Sequence, residues 1–251
     1  MIIILIAFIL LSILGFPIAF VLGLTSLLAL LMLKTPIFLR IIPQMMVGGI
    51  SKFPLLAVPF FIMAGVVMVR AKLIKSLIDF SELIVGNLKG GLAYVNILAS
   101  ILFAGISGSA VADTSALGSI LIPAMEKDGY TKNFSAAITA ASSIIGPIIP
   151  PSIIAIVYSY SMGVSVAALF AAGIIPGLLI GIALSILVFF AGIKYNFPKR
   201  NFKLTRQKIF STIKESFTAL LMPLIILGGI LGGVFTATEA AAVAVLYAFI
   251  I

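Results

Sequence analysis

Cysteine and histidine are both absent from the 251 residues. Without cysteine there are no disulfides, thiolate metal sites or thiol nucleophiles. Without histidine there is no imidazole proton relay and no histidine ligand for haem. Charge is scarce too, with 9% charged residues against 63% hydrophobic ones and a mean hydropathy of +1.35. That balance excludes a soluble domain and specifies an all-α polytopic membrane protein seated in a lipid bilayer. No HExxH, Walker loop, GxSxG or paired-carboxylate arrangement occurs, so an enzyme has no residues to work with.

The charge that is present is lopsided: 16 basic and 7 acidic residues give a net +9. Nucleic acid is not the implied partner, because the basic residues fall between apolar runs and have no soluble domain to carry them. They report topology instead. Seven lie within 194–214 and four within 70–89, which places both segments in the cytoplasm by the positive-inside rule. The first apolar run, 1–33, has neither a basic leader nor a small-residue cleavage site, so it reads as a retained membrane segment, kinked or divided at Gly15, Phe16 and Pro17. If it crosses outward, 34–53 lies outside and 54–69 returns to the first basic stretch. Residues 71–89 set Leu73, Ile74, Leu77 and Ile78 against Lys75, Asp79 and Glu82 at helical spacing, a pattern for an amphipathic helix along the interface.

The run 91–125 is interrupted near Ser107, Gly108 and Ser109, leaving about 15 residues on each side, or roughly 22 Å of helix. Neither half crosses a hydrocarbon core of about 30 Å. Lys89 precedes the run, and Glu126, Lys127, Asp128 and Lys132 follow it, so both ends read as cytoplasmic and the run as a re-entrant helical hairpin. A single tilted helix is the alternative, and it would invert the topology of everything that follows.

The next segment, 134–162, contains Ser142, Ser143, Gly146, Pro147, Ile149, Pro150, Pro151 and Ser152. The prolines carry no N–H and cannot continue a helix, so carbonyls one turn earlier lose their donors. Non-helical backbone at membrane depth survives only packed in protein or lining a watery cavity. Broken helices of this kind serve secondary transporters near the bilayer midplane, where freed carbonyls coordinate a cation. The segment 165–193 then returns, placing the basic stretch in the cytoplasm. Residues 217–235 cross again, with Gly228, Gly229, Gly232 and Gly233 at GxxxG spacings that allow close helix approach.

Of the seven acidic residues, only Asp113 and Glu239 fall inside apolar membrane segments, where an ionisable group is expensive and usually functional. Asp113 could cap the second hairpin arm, hold the N–H groups of the tip, or sit near a cation. Glu239 follows Thr236 by three residues, the spacing of a capping box. The tip Ser107-Gly108-Ser109 offers hydroxyls and unencumbered carbonyls, a hard-oxygen set suited to sodium rather than a transition metal. Ser142 and Ser143 add hydroxyls, unless they only bond back to their own helix.

Five stretches occur in order over nearly the whole chain: Gly-Phe-Pro-Ile-Ala-Phe at 15–20, Val-Pro-Phe-Phe-Ile-Met-Ala-Gly at 58–65, Gly-Ile-Ser-Gly-Ser-Ala-Val-Ala-Asp-Thr at 105–114, Ile-Gly-Pro-Ile-Ile-Pro-Pro-Ser at 145–152 and Phe-Thr-Ala-Thr-Glu-Ala-Ala-Ala-Val-Ala at 235–244. Together they resemble the large membrane subunit of tripartite ATP-independent periplasmic (TRAP) transporters of the dicarboxylate and sialic-acid type. The resemblance implies an elevator-type importer in the cytoplasmic (inner) membrane of a bacterium or archaeon. It would be driven by a sodium gradient, without an organic cofactor, and take a small organic anion from a soluble periplasmic binding protein. A small four-helix membrane subunit is the further implied partner.

The resemblance also divides the chain. Scaffold helices and an arm helix would occupy 1–90, and the transport hairpin and broken helix 91–162. A membrane helix and the basic loop would occupy 163–216, and the start of a truncated second, inverted repeat 217–251. One sodium site is implied between Ser107 and the carbonyls of Gly146, Ile149 and Pro151, with Gly108, Ser109, Asp113, Ser142, Ser143, Pro147, Pro150 and Ser152 around it. Two other readings remain: a sodium/anion symporter that needs no binding protein, and a non-transporting scaffold subunit of an energy-converting complex. The latter, if it moved protons, would carry buried Lys, Glu or His in series, and the sequence has no such series.

Overall fold

A computed structural model of the chain describes residues 2–32, 41–71, 73–199 and 205–251, which form two compact units, Met1–Lys52 and Phe53–Ile251. The first unit contains α1 (Ile2–Ile13), α2 (Ile18–Met32) and α3 (Ile41–Ile50). Gly15 (φ +78°) and Pro17 divide the first apolar run in two, because the left-handed residue ends one helix and the proline is tolerated at the start of the next. The expected external segment is in part helical, since α3 covers most of its second half. Residues 33–40 of that segment lie outside the described residues.

The second unit opens with a 3-10 turn, Phe53–Leu56, followed by α4 (Ala57–Arg70) and α5 (Leu73–Val85). Helix α5 buries Leu73, Ile74, Leu77 and Ile78 and leaves Lys75 exposed, the amphipathic pattern its spacing predicts. Its polar side meets α11 (Arg206–Leu231), where the Ser216 hydroxyl donates to the Ser76 carbonyl at 2.7 Å. There burial pushes the Asp79 carboxyl above the usual range, against the opposing pull of Lys75 and Lys208. Helix α4 packs against α12 (Ala237–Ile250), whose Ala237, Ala240, Ala241, Ala244 and Ala248 share one buried face. Small residues on that face let the two backbones approach closely.

Two helices joined by Gly108 and Ser109 follow: α6 (Gly91–Ser107) and α7 (Ala110–Lys127). They are 17 and 18 residues long, slightly longer than expected, yet at about 26 and 27 Å each still falls short of a hydrocarbon core. The Asn96 amide, near the start of α6, lies 3.8 Å from the sulfur of Met125, near the end of α7. The arms are therefore folded back on each other, and a single tilted helix is excluded. At the base, Lys89 donates to Asn196 Oδ1 at 2.8 Å, and the Gly90 amide to the Pro198 carbonyl at 3.0 Å. The Phe197 ring packs tilted against both Tyr130 and Phe134, with ring centroids 4.7 Å apart in each pair. Entry to the hairpin, exit from it and the start of the last basic stretch thus share one end of the unit. Residues 200–204 of that stretch lie outside the described residues.

Next come α8 (Lys132–Ser143), an irregular segment over 144–152, α9 (Ile153–Met162) and α10 (Val166–Lys194). Helix α10 presents glycines every fourth residue to this break. A β-carbon at Gly173 would overlap the Ile148 carbonyl oxygen, one at Gly177 the Ile149 side chain, and one at Gly181 would lie 2.7 Å from Ile101 Cδ1. Its opposite side exposes Leu179, Ile182, Ile186, Phe189, Phe190 and Ile193. Among the described residues, the segments Phe53–Arg70, Val166–Lys194 and Arg206–Leu231 are long and apolar enough to span a membrane.

The glycine spacings near 228–233 act otherwise than the sequence suggests. Helix α11 ends at Leu231, Gly233 turns the chain at φ +71°, and Gly229 makes room for the Phe235 ring. Gly228 has nothing within 4 Å of a built β-carbon, so among the described residues these glycines serve a turn and not a helix crossing.

Two outcomes follow. Gly173→Ala is expected to lower the thermal midpoint of the purified protein by the equivalent of about 1–3 kcal/mol, whereas Gly23→Ala, with open space on α2, is expected to be neutral or stabilising by about 0.5–1 kcal/mol. Equal effects at both positions would remove the packing role of the α10 glycines. Single cysteines at the exposed positions Leu88 and Lys127 are expected to react with an impermeant thiol reagent from the same side of the membrane. Labelling from opposite faces would rule out a re-entrant hairpin.

Candidate functional site

The tip and the break meet. Gly108 adopts φ +59°, closing α6 with its amide directed to the Ala104 carbonyl at 3.3 Å. A β-carbon there would overlap the Pro151 carbonyl oxygen and come within 3.3 Å of the Ile153 amide nitrogen. From the other side, a β-carbon on Gly146 would lie 3.3 Å from the Ser109 carbonyl carbon and 3.4 Å from the Ala110 nitrogen. Glycine is thus needed on both faces of the contact, at Gly108 for conformation and space and at Gly146 for proximity. Gly105 packs against Pro223 of α11 and Gly65 of α4 against the Cα of Ser107, so the tip is enclosed by protein.

The break keeps only part of its hydrogen bonding. The amides of Ile145 and Gly146 reach back to the carbonyls of Ser142 and Ser143 at 3.0 Å, and that of Ile149 donates to Ile145 at 2.9 Å. Pro147, Pro150 and Pro151 have no N–H to offer, and the Pro150–Pro151 peptide is cis. Ser152 caps α9, accepting from the Ala155 amide at 3.0 Å while donating to the Pro147 carbonyl. Among the described residues, nothing donates to the carbonyls of Gly146, Ile149 and Pro151. All three residues are buried, and Ser107 is only 5% exposed.

The remaining residues separate into three roles. Ser109 is the N-cap of α7, its hydroxyl accepting from Ala112 at 3.4 Å, and the Ser107 hydroxyl accepts from the Ser109 amide at 3.4 Å. Asp113 therefore neither caps the arm nor holds the tip amides: it is fully buried with the Ser100 and Ser143 side chains beside it, and neither carboxyl oxygen has a hydrogen-bond partner of normal geometry among the described residues. Ser142 joins a buried chain running Asn96 Nδ2 to Thr139 Oγ1 at 2.7 Å, Ser100 to Ser142 at 3.0 Å and Ser142 to Asn96 Oδ1 at 3.0 Å. Ser143 bonds back to its own helix, donating to the Thr139 carbonyl at 2.8 Å. The four-residue spacing of Asn96 and Ser100 on one face of α6, opposite Thr139 and Ser142, is the sequence signal for this network. Thr236 and Glu239 lie elsewhere, forming a capping box at the start of α12 in which the Thr236 amide donates to Glu239 Oε2 at 2.8 Å.

Beside the tip, between α4 and the hairpin, opens a cavity of about 620 Å³ with largely apolar walls. Ser107, Ser109, Ser115 and Ser119 line it, with Arg70 as its charged residue.

Ser152→Ala is expected to cost about 1–2 kcal/mol through loss of the α9 cap and of the Pro147 contact, read as a lower thermal midpoint. Ser115→Ala, whose residue is exposed in the same cavity, is expected to leave the midpoint unchanged.

The family model described as "Tripartite ATP-independent periplasmic transporter, DctM component" matches residues 5–251. The sialic acid TRAP transporter large permease protein of Vibrio cholerae is 44% identical over 234 residues, covering 93% of this chain and 54% of that protein. The 2,3-diketo-L-gulonate TRAP transporter large permease protein of Escherichia coli K12 is 42% identical over 238 residues, 94% of this chain and 55% of that protein. The C4-dicarboxylate TRAP transporter large permease protein of V. cholerae is 41% identical over 239 residues, 95% of this chain and 52% of that protein. The chain thus spans about half the length of these relatives. The family is one of membrane transport components and not of enzymes. With the five sequence stretches, the apolar helices and the family match all in agreement, the chain belongs to the large permease, or DctM, component family of TRAP transporters and is a multi-pass membrane protein.

Proposed function

We propose that this chain forms part of the membrane permease of a sodium-driven importer of small organic anions, carboxylates or sialic acid, delivered by a periplasmic binding protein. What supports the reading is the contact of the hairpin tip with the break, where a β-carbon on Gly108 would overlap the Pro151 carbonyl oxygen and one on Gly146 would lie 3.3 Å from Ser109, together with the buried residues Gly146, Ile149 and Pro151, whose carbonyls accept no hydrogen bond among the described residues. Carbonyls left bare in an apolar setting cost several kcal/mol, and a desolvated cation offsets that cost. Neutral hard oxygens match sodium, whereas a transition metal would call for nitrogen or sulfur ligands. The sialic acid and C4-dicarboxylate permeases among the relatives support small organic anions as the solute class, and the serine-lined cavity beside the tip is where this half of the permease would contribute to their path.

In this reading residues 91–162 are the moving half-site, carried as a body past scaffold helices that include α4 and α12, and a second, inverted repeat supplies the other half. A small four-helix subunit completes the membrane complex, which sits in the cytoplasmic (inner) membrane. Sodium is the coupling ion and no cofactor is required.

The test uses the full-length permease with its partner subunit, reconstituted in liposomes and supplied with the loaded binding protein. Uptake is expected to need a sodium gradient and to survive collapse of the proton gradient. Ser107→Ala should weaken apparent sodium affinity roughly tenfold, in line with the loss of one ligand worth about 1.4 kcal/mol, with a smaller effect on solute affinity. Replacing Pro150 and Pro151 together by alanine restores N–H donors to the break and is expected to abolish uptake while the protein still inserts. Uptake in sodium-free buffer that follows the proton gradient would refute the mechanism.

A further inference from the structure

At the base of the hairpin, at the other end of α6 and α7 from the tip, lies a second cavity of about 470 Å³. Its size is that of an ordinary ligand pocket, about 300–1,000 Å³. Two segments distant in sequence enclose it: the turn that joins α7 to α8, through Gly129, Thr131 and Asn133, and the close of α10, through Tyr195 and Asn196. Among the described residues no carboxylate lines it. The polar side chains that do are a hydroxyl at Thr131 and the amides of Asn133 and Asn196, and Asn196 Oδ1 accepts from Lys89 at 2.8 Å, which brings an ammonium to the rim. Lys194 holds a second ammonium 5.3 Å from the centre of the Tyr195 ring. Lys127, Lys132 and Lys199 flank the same two segments, and all five lysines are exposed. The acids on these segments are Glu126 and Asp128, so positive charge prevails.

The depth of the cavity follows from α10. At 29 residues the helix is about 43 Å long, against about 30 Å for a hydrocarbon core and 40–45 Å with both headgroup layers. Set across a bilayer, a helix of that length ends among headgroups. Its exposed apolar side runs through Ile186, Phe189 and Phe190 and stops at Ile193, where Lys194, Tyr195 and Asn196 take over. That change from lipid-facing side chains to basic and aromatic ones marks a membrane interface, and the excess of lysine assigns it to the cytoplasmic leaflet. Basic pockets between membrane helices on that side suit anionic headgroups, whose negative surface potential attracts them.

We propose that this cavity seats the headgroup of an anionic phospholipid of the inner leaflet. Lys89, Lys194 and the side-chain amides of Asn133 and Asn196 hold its phosphate, and its acyl chains follow the exposed side of α10. A lipid so placed ties the close of α10 to the start of α8 and reinforces the packing of Phe197 on Tyr130 and Phe134. The inference is independent of the solute and of the coupling ion.

The experiment measures binding of phosphatidylglycerol to the purified, delipidated full-length permease complex in neutral detergent, by native mass spectrometry and by the thermal midpoint, with phosphatidylcholine and sodium phosphate as separate arms. Phosphatidylglycerol is expected to stay bound and raise the midpoint. Phosphatidylcholine, which has the phosphate but no net charge, should do so less, and phosphate alone should neither raise the midpoint nor displace the lipid. Lys89→Gln and Lys194→Gln should each weaken phosphatidylglycerol binding about fivefold, the share of one lysine at an anionic surface. Lys214→Gln, at an exposed lysine of α11 that does not line the cavity, should leave it unchanged. Asn133→Asp places a carboxylate in the cavity within the first turn of α8, where an acid favours the helix. That variant should fold at least as well as wild type and lose about tenfold in affinity for the lipid. Equal binding of the two lipids, or wild-type affinity in Asn133→Asp and both cavity lysine variants, would overturn the proposal. Displacement of phosphatidylglycerol by phosphate at equal concentration would make the ligand a soluble anion and overturn it as well.

Discussion

Bare backbone carbonyls in an apolar environment are the constraint on which the rest of the structure depends. Once Pro147, Pro150 and Pro151 interrupt the helix that would run from α8 into α9, the segment between them cannot face lipid and must be enclosed by protein. The enclosure accounts for features that look unrelated in the chain. Gly173, Gly177 and Gly181 hollow one face of α10 to receive Ile148, Ile149 and Ile101. Gly108 lacks a side chain where Pro151 approaches, and Gly105 lacks one where Pro223 of α11 crosses. The hairpin reaches the break at its tip because a helix of about 26 Å ends where that contact begins.

A second constraint is the polar material inside the bundle. Asn96, Ser100, Thr139, Ser142 and Ser143 are fully buried and hydrogen-bonded to one another or to nearby backbone. In a low-dielectric interior such a network fixes the relative rotation of α6 and α8, because any other rotation strands several polar groups at once. Beside it lies Asp113, an acidic group with no hydrogen-bond partner of normal geometry among the described residues. The contrast with Glu239 is instructive, since that carboxylate spends its oxygens on Thr236 in a local cap and has no need of a partner from elsewhere.

The ends of the hairpin bring charge and packing into agreement. Lys89, Tyr130 and Phe197 converge where α6 begins, α7 has ended and α10 finishes, so the basic residues that flank these elements share one end of the unit. Positive charge at that end is what the positive-inside rule places in the cytoplasm, and the aromatic cluster anchors the hairpin base while its tip lies against the break.

Much of this was legible in the chain. Helical membrane class, the division at Pro17, the amphipathic α5, the short arms of the hairpin and the break all follow from local rules: proline removes a donor, hydropathy demands length, and alternation of charge marks a polar face. The family followed from five motifs read in order. What sequence could not decide was which distant groups would meet. The helix α3 was hidden in a stretch read as external, and the glycines near 228–233 looked like a crossing surface but close a turn, because spacing alone does not say whether another helix is opposite. The α10 glycines, with the same spacing, do receive a partner. Asp113 was visible as an acid in an apolar run, but whether it capped a helix or stood unpaired depended on where Ser109, Ser100 and Ser143 came to lie. Local chemistry determines which groups need partners, and only the tertiary structure decides which of them go without, because that is a property of helices brought together from residues tens of positions apart.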